Sequence, residues 1–384
     1  LLSQYLGDDS RVLFRRSIAE RIQRVAPYLH LDDDPYLVVA DGRLYWMVDA
    51  YTVSDRYPYS EPALGGVNYI RNSVKAVVDA YEGSVELYVS DPDDPLIQAY
   101  GRVFPGSLRP LEQMPASLVG HIRYPEDLFD VQAALYLSYH MTDATTFYNR
   151  EDQWEFPQEL YGAQAQTMEA YYLVMSLPEQ DRAEFILLRP FVPKGKDNMV
   201  SWLAARSDPP HYGDLVLYQF PKKKLIYGPR QIEARIDQDP DISQEITLWS
   251  TAGSNVVRGN LLVIPVNRSL LYVEPLYLQA ASGQLPELKR VIVSYENRIA
   301  MAPTLNAALA QVFGQATPEP QAPLEGAEAA PRLAFEGPLV EEASRLYELA
   351  LDRQRVGDWA GYGEAIDELG GVLAQMSEGL EAPE

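Results

Sequence analysis

The predicted fold is decided by the stretch Tyr36-Leu-Val-Val-Ala40, Asp41-Gly-Arg43, Leu44-Tyr-Trp-Met-Val-Asp49. Its two outer runs are rich in β-branched and aromatic residues, which favour strands. The Asp-Gly pair between them supplies the positive φ angles of a tight hairpin turn. The same pattern returns at residues 74–89, where Glu82-Gly83 separates two further apolar runs. Both stretches therefore predict antiparallel β-hairpins.

Strand patterns recur along the chain, and many are joined by turns too short for a parallel crossover. Helical patterns interrupt them without a regular β-α-β rhythm, which favours an α+β fold with largely antiparallel sheets. Strands are predicted at Glu169–Ser176, Glu184–Phe191, Met199–Ala205, Leu215–Phe220, Val256–Val266, Ser269–Leu278 and Arg290–Tyr295, and helices at Leu13–Leu29, Pro125–Met141, Gln231–Ile236 and Pro303–Phe313.

Composition predicts a division of the chain near its carboxyl end. Residues 1–313 are predicted to form the main α+β domain. This domain is either one body or two lobes that meet near residues 155–167. Residues 314–334 are rich in Pro, Ala, Gly and Glu without periodicity, as in a flexible linker. Residues 335–384 carry two amphipathic patterns joined by Gly357-Asp358, which predict a helical hairpin. One hairpin cannot bury its own apolar stripe, so we expect it to dock elsewhere.

Charge and composition exclude several classes of function. The net charge of −23 repels phosphate backbones, so nucleic-acid binding is excluded. The chain has no cysteine, which rules out disulfides, thiolate nucleophiles and Cys-ligated metals. Its longest apolar runs, such as Leu261–Val266, fall far short of the ~20 residues of a spanning helix.

A first candidate polar cluster surrounds a predicted helix. A general-base or metal site would need these side chains to converge on one point. The alternative is a network of helix caps and hydrogen bonds, because no His-x-x-x-His pattern is present and the two histidines lie at opposite ends of the helix. The cluster comprises His121, Arg123, Glu126, Asp127 and His140.

A second candidate site combines hard oxygen ligands with aromatic side chains. Carboxylate and amide oxygens suit calcium, and aromatic faces beside carboxylates suit a sugar. Helix caps and a buried Trp are the alternative explanation. The calcium ligands would be Asp143, Asn149, Glu151 and Asp152, and the ligand-facing aromatics Phe147, Tyr148 and Trp154.

Three further acidic runs are interpreted as structural. The run from Asp237 to Asp241 has the Asp-x-Asp-x-Asp spacing of a calcium loop, but it lacks the Gly and the closing Glu of an EF-hand. The runs at 32–34 and 91–94 each precede a Pro and are predicted to be solvated turns.

Several long motifs resemble an uncharacterised family of large bacterial multi-pass membrane proteins, found in cyanobacteria and actinobacteria. The resemblance implies that this chain is the extracytoplasmic part that follows the membrane-spanning helices of a longer protein. Those helices would anchor it at the cell membrane and would be its first partner. The resemblance supplies no catalytic residues. The motifs are His121-Ile-Arg-Tyr-Pro-Glu-Asp-Leu-Phe129, Tyr227-Gly-Pro-Arg-Gln-Ile-Glu-Ala-Arg235, Gly259-Asn-Leu-Leu-Val-Ile-Pro265 and Ser269-Leu-Leu-Tyr-Val-Glu-Pro275.

The functional interpretation follows from this context and from the 26 tyrosines, which offer broad amphipathic contact surface. We expect a binding or assembly domain rather than an enzyme, with an envelope protein, a saccharide or a second copy of the chain as partner. The alternative is an envelope hydrolase that acts on saccharide or peptide through carboxylates near residues 149–152.

Overall fold

The computed structural model describes residues 14–314, apart from 163, 179, 181, 222, 252–253, 267–268 and 281–284, together with six isolated helical positions between 345 and 372. The chain divides into two compact units, residues 1–318 and 319–384. Most of the predicted linker and helical hairpin therefore lies outside the described residues. The main unit is α+β, as predicted.

The first sheet has six strands in the order β1-β3-β4-β5-β6, with β2 also paired to β3. The predicted hairpin is β2–β3, and Ala40 pairs with Arg43 across its turn. Asp41 and Gly42 have φ angles of 49° and 71°, the left-handed geometry that the sequence predicts. The strands are β1 His30–Leu31, β2 Tyr36–Ala40, β3 Arg43–Ser54, β4 Tyr69–Asp79, β5 Val85–Val89 and β6 Arg109–Pro110.

The second sheet has the order β10-β11-β12-β13, and β7 pairs with the end of β11. Its central strands β11 and β12 are buried on both faces, which explains their nearly continuous apolar sequence. A separate hairpin, β8–β9, lies between β7 and β10 in the chain. The strands are β7 Trp154–Glu155, β8 Gln158–Tyr161, β9 Gln164–Thr167, β10 Tyr171–Ser176, β11 Ala183–Pro193, β12 Ser201–Arg206 and β13 Leu215–Gln219.

The third sheet has the order β14-β16-β17-β18, and β15 also pairs with β16. The single strand predicted over 256–266 is wrong, because the chain breaks at Gly259. The N–H of Gly259 donates to the carbonyl of Pro275 at 2.9 Å. A Cβ atom at this position would lie only 2.7 Å from Cγ of Pro275, which favours glycine. The strands are β14 Ser254–Arg258, β15 Leu262–Val266, β16 Ser269–Ala280, β17 Glu287–Tyr295 and β18 Arg298–Ala302.

Eight helices connect and cover the sheets in the described part of the chain. The helix predicted over 13–29 is shorter, since Ser17 caps its start and the chain leaves the helix at Ala26. Several short helices were not predicted, among them α2, which Asp94 caps. The helices are α1 Ile18–Val25, α2 Pro95–Val103, α3 Ala116–Val119, α4 Glu126–Tyr139, α5 Ala144–Asn149, α6 Pro229–Gln238, α7 Pro240–Thr251 and α8 Leu305–Phe313, with 3₁₀ turns at Leu64–Gly66 and Leu111–Gln113.

Helix α4 positions the candidate site between the first two sheets. Its buried side chains Phe129 and Ala133 pack with Trp154 and Phe191 of the second sheet. The same helix contacts β4 of the first sheet. Its amino-terminal end therefore lies where the two sheets meet. None of the helices in the described ranges has the length and apolarity needed to cross a bilayer.

Candidate functional site

The start of α4 is bonded to the acidic loop between β1 and β2. The N–H of Asp127 donates to the carboxylate of Asp32 at 3.2 Å, and the N–H of Asp33 donates to the carboxylate of Asp127 at 3.1 Å. Asp32 is only 5% exposed and also accepts a hydrogen bond from the hydroxyl of Tyr51. The prediction of a solvated turn at 32–34 was therefore wrong for Asp32.

Arg123 joins this loop to both sheets. Its guanidinium donates to the Asp34 carboxylate at 2.6 Å and to the Asp34 carbonyl at 3.0 Å. The same group lies 3.8 Å from the ring centre of Tyr36 and 4.6 Å from that of Tyr172. A guanidinium stacked between two rings and paired with a carboxylate is held in one orientation. Arg123 is therefore a positioning residue for the acidic loop.

A buried ion pair lies next to this contact. The ammonium group of Lys75 bonds the carboxylate of Asp49, and both side chains are almost fully enclosed. The hydroxyl of Tyr212 bonds the same ammonium group, with 2.8 Å between oxygen and nitrogen. Burial alone would lower the pKa of Lys75, but Asp49 and Tyr212 outweigh it, so this pKa is raised and Lys75 stays charged.

Acids outnumber bases at this end of α4, and the pKa values reflect it. Burial, then repulsion from Asp34 and other acids, raises the pKa of Glu126 to about 7. Burial, then repulsion from Asp32, raises the pKa of Asp127 to about 6. We call Asp32, Asp34, Asp49, Glu126 and Asp127 the acidic cluster. Its negative charge exceeds what Lys75 and Arg123 neutralise.

A groove of about 530 Å³ opens beside the acidic cluster, a volume typical of ligand sites. One wall is the face of α4, and the other is formed by β4 and the segment before it. Tyr57 and Tyr69 stack there with ring centres 5.4 Å apart. The guanidinium of Arg71 lies 5.0 Å from the ring centre of Tyr69. The lining includes His30, Asp33, Glu61, Ala63, Asp127, Leu128, Val131, Gln132 and Leu135.

The first predicted cluster is only partly assembled. The structure brings Arg123, Glu126 and Asp127 together, whereas His121 is exposed after α3. His140 ends α4, where its ring stacks on Trp154 with centres 3.6 Å apart. Its two ring nitrogens lie 2.9 Å from the carbonyl of Tyr136 and 2.8 Å from that of Asp152. His140 therefore holds the end of α4 in place.

The second predicted site surrounds the short helix α5. Asp143 caps this helix by accepting from the N–H of Thr146 at 2.8 Å. The amide of Asn149 donates to the carboxylate of Glu151 at 2.9 Å. Within the described residues, no three His, Asp or Glu side chains are grouped so as to hold a metal ion. The calcium site at Asp143, Asn149, Glu151 and Asp152 stays a prediction.

The three predicted ligand-facing aromatics do not share one surface. Trp154 is 3% exposed and lies beneath His140. Phe147 packs against Tyr139 with ring centres 5.4 Å apart. Tyr148 is 87% exposed. Only Phe147 and Tyr148 are therefore placed to contact a partner at the surface.

Sequence reasoning missed Lys75 and the tyrosines of the groove. Lys75 is a single cation inside the apolar run Val74–Val78, which is a signal for a buried ion pair. The run Asp32-Asp33-Asp34 carried a second signal, although its partners lie about 90 residues away in α4. Tyr57 and Tyr69 carried no signal that separates them from other tyrosines.

The amino-acid sequence matches a known family model. The description of that model is "Uncharacterised protein family (UPF0182)", and the match covers residues 1–249. The chain belongs to this family. A UPF0182 protein of Moorella thermoacetica is 54% identical over 382 residues, which cover 98% of this chain and 42% of the relative. A UPF0182 protein of Cupriavidus necator is 53% identical over 385 residues, covering 99% and 41% of the two chains.

Another UPF0182 protein, from a Nostoc species, is 56% identical over 322 residues, covering 81% of this chain and 32% of its own length. The chain thus spans about two fifths or less of the length of these curated relatives. No solved structure matches it.

Proposed function

We propose that this chain is the extracytoplasmic binding or assembly part of a multi-pass bacterial membrane protein, and that the groove is its binding site. Membership of UPF0182 supports the part of this proposal that concerns the family to which the chain belongs. The relatives are more than twice as long as the aligned region, which leaves ample length for spanning helices.

The observation that carries the binding role is the composition of the groove. Its volume suits a ligand, and its lining combines stacked tyrosines, an apolar helix face and a few polar groups. Binding sites typically have this mixture, in which apolar surface supplies affinity and a few polar groups fix orientation. The walls belong to α4 and β4. Helices and strands hold binding side chains in a more precise geometry than loops do.

The location is tested with engineered cysteines in the full-length protein. The chain itself has no cysteine, and Tyr148 is 87% exposed, so Tyr148→Cys adds one reactive thiol here. We expect a membrane-impermeant maleimide to label this variant in intact cells more strongly than the parent protein. Labelling that appears only after the cells are permeabilised would place the domain in the cytoplasm.

Occupancy of the groove is tested in the same cells. Leu135 lines the groove and is 40% exposed, so its Cys variant reports on the site. We expect Leu135→Cys to react more slowly in cells than after purification, while Leu225→Cys, at a position 65% exposed and outside the lining, reacts equally in both. Equal rates for Leu135→Cys in both states would contradict a bound ligand.

The second candidate is a hydrolase, which we place at Asp127 of the groove and not at the carboxylates near residues 149–152 predicted from the sequence, because Asp127 has the property of a general acid. The pKa of Asp127, about 6, allows it to hold a proton near neutral pH, as proton transfer requires. In that case Asp127→Asn would abolish hydrolysis of a saccharide or peptide while the protein stays folded. Unchanged hydrolysis in this variant would exclude Asp127 as the general acid.

A further inference from the structure

We infer that the groove binds a polypeptide segment that presents an Arg or Lys side chain next to apolar residues. This inference rests on the proposed function, because it assumes that the groove is a binding site. It adds the chemical class of the ligand. The charge at one end of the groove and the length of its apolar wall indicate this class.

The charge of the lining is strongly unbalanced. Three of the described lining residues are acids, namely Asp33, Glu61 and Asp127, against the single guanidinium of Arg71. Asp33 and Glu61 are exposed, so their carboxylates are available to a ligand. The other members of the acidic cluster lie near Asp127, and Asp32 is bonded to it, so they add to the negative potential. A cationic group placed here would gain attraction, whereas a phosphate or carboxylate would be repelled.

The apolar wall is longer than a small molecule. Leu128, Val131 and Leu135 line the groove on successive turns of α4, and Tyr139 continues the same face with 56% exposure. From residue 128 to residue 139 the helix rises about 16 Å, at ~1.5 Å per residue. An extended peptide covers that length with about five residues, at ~3.3 Å each.

The same surface continues past the end of the helix. Phe147 packs on Tyr139, and Tyr148 is almost fully exposed beside it in sequence. Arg and Lys suit such a site, because their aliphatic stems cover apolar surface while their charged ends reach the acids. A neutral saccharide would stack on the tyrosines and donate hydroxyl hydrogen bonds to the carboxylates, but it would leave their negative charge without a counter-charge.

The inference is tested with three peptides that differ only in charge. Each is a fluorescently labelled heptapeptide with blocked ends that alternates Leu with Arg, Gln or Glu. We expect the Arg peptide to bind the purified chain at least tenfold more tightly than the Gln peptide, and the Glu peptide not to bind. Fluorescence polarisation at ~0.15 M salt, where surface attraction is largely screened, gives the affinities.

Matched variants separate the groove from general attraction to an acidic protein. The double variant Asp33→Asn, Glu61→Gln removes two exposed groove carboxylates. Its affinity for the Arg peptide should be at least tenfold lower. Asp93→Asn with Glu112→Gln removes two exposed acids elsewhere and should have no effect. Ala63→Trp fills the groove and should block binding, whereas Ala116→Trp adds the same bulk at an exposed position outside its lining.

Each contrary result has one meaning. Equal binding of the Arg and Gln peptides, blocked by Ala63→Trp, would overturn the charge inference and leave the groove as a binding site. Binding that survives Ala63→Trp would show surface attraction only and would overturn the inference. Binding of chitotriose in place of any peptide would overturn it in favour of a saccharide. Failure of the proposed location is detected separately, by the cysteine labelling in cells.

Discussion

Lys75 and Asp49 face each other across neighbouring strands and form an ion pair that is almost fully enclosed. The hydroxyl of Tyr212, from the loop between β12 and β13, closes the pair from the side of the second sheet. A charge in such a place is tolerated only while its partners remain, because water cannot replace them.

The first prediction concerns this pair. Lys75→Met leaves Asp49 buried without its counter-charge, so we expect the free energy of unfolding to fall by about 3–5 kcal/mol. Lys75→Met combined with Asp49→Leu should recover much of the loss, since no buried charge is left unpaired. Urea denaturation followed by far-ultraviolet circular dichroism measures both effects. A single variant within 1 kcal/mol of wild type would show that the carboxylate is hydrated.

The second prediction concerns the pH dependence of stability at Glu126. Its pKa is about 7 in the folded protein against an ordinary value of 4.5, so protonation favours the fold. This contribution is complete below pH ~4.5 and is lost as the pH rises through 7. Glu126→Gln is neutral at every pH, so its stability relative to wild type should increase between pH 5 and pH 8. We expect a change of about 1–2 kcal/mol after solvent screening.

Thermal unfolding at several pH values measures the difference in stability between Glu126→Gln and wild type. Asp93→Asn is the control, because Asp93 is exposed and far from α4 in sequence. The same difference at pH 5 and pH 8 for Glu126→Gln would mean that Glu126 ionises normally in the folded protein.

The third prediction compares two buried glutamates near the third sheet. Glu274 receives two hydrogen bonds from the guanidinium of Arg258, so Glu274→Gln should cost about 3–5 kcal/mol. Glu233 accepts one hydrogen bond from the N–H of Leu160 at 2.6 Å, and burial raises its pKa to about 7. The amide oxygen of a Gln accepts the same bond.

We therefore expect Glu233→Gln to cost less than about 1 kcal/mol at pH 6. Its stability relative to wild type should rise as the pH increases through 7, where the native carboxyl ionises. Urea denaturation at pH 6 and pH 8 makes the comparison. A large loss in Glu233→Gln at both pH values would show that Glu233 is an anion with a cationic partner.

The fourth prediction concerns Gly228. A Cβ atom at this position would lie 1.8 Å from the carbonyl oxygen of Asp197, and the main chain there must move to admit it. We expect Gly228→Ala to destabilise the protein by about 1–3 kcal/mol, the usual cost of forcing extra atoms into a packed site. Gly120→Ala is the matched control, since nothing lies within 4 Å of its Cβ and its φ is −64°. Equal melting temperatures for both variants would contradict the close approach.

Local patterns were enough to predict the strands of the first hairpin. The turn at Asp41-Gly42 fixes the register of β2 on β3, and a period-two pattern needs no distant information. The break at Gly259 was missed although the sequence carries a sign of it, since Arg258-Gly259-Asn260 interrupts the apolar pattern and Gly and Asn favour turns. The partner of this turn, the carbonyl of Pro275, could not be predicted from the local sequence.

The candidate site was predicted in part for the same reason. The block at 121–127 was recognised from its own residues, and three of its members do meet at the start of α4. Their partners Asp32 and Asp34 are 89–95 residues earlier in the chain. Nothing in one sequence shows that these segments meet, so the groove between α4 and β4 was not predicted.

The bond between Lys75 and Tyr212 spans 137 residues of chain. At a ribosomal rate of about 5–20 residues per second, roughly 7–27 s separate the synthesis of these two residues. The first sheet can form its hairpins during that interval, but it cannot exclude water from Lys75. The buried site around Lys75 is therefore completed only after the loop that carries Tyr212 has emerged, well after the first sheet has been synthesised.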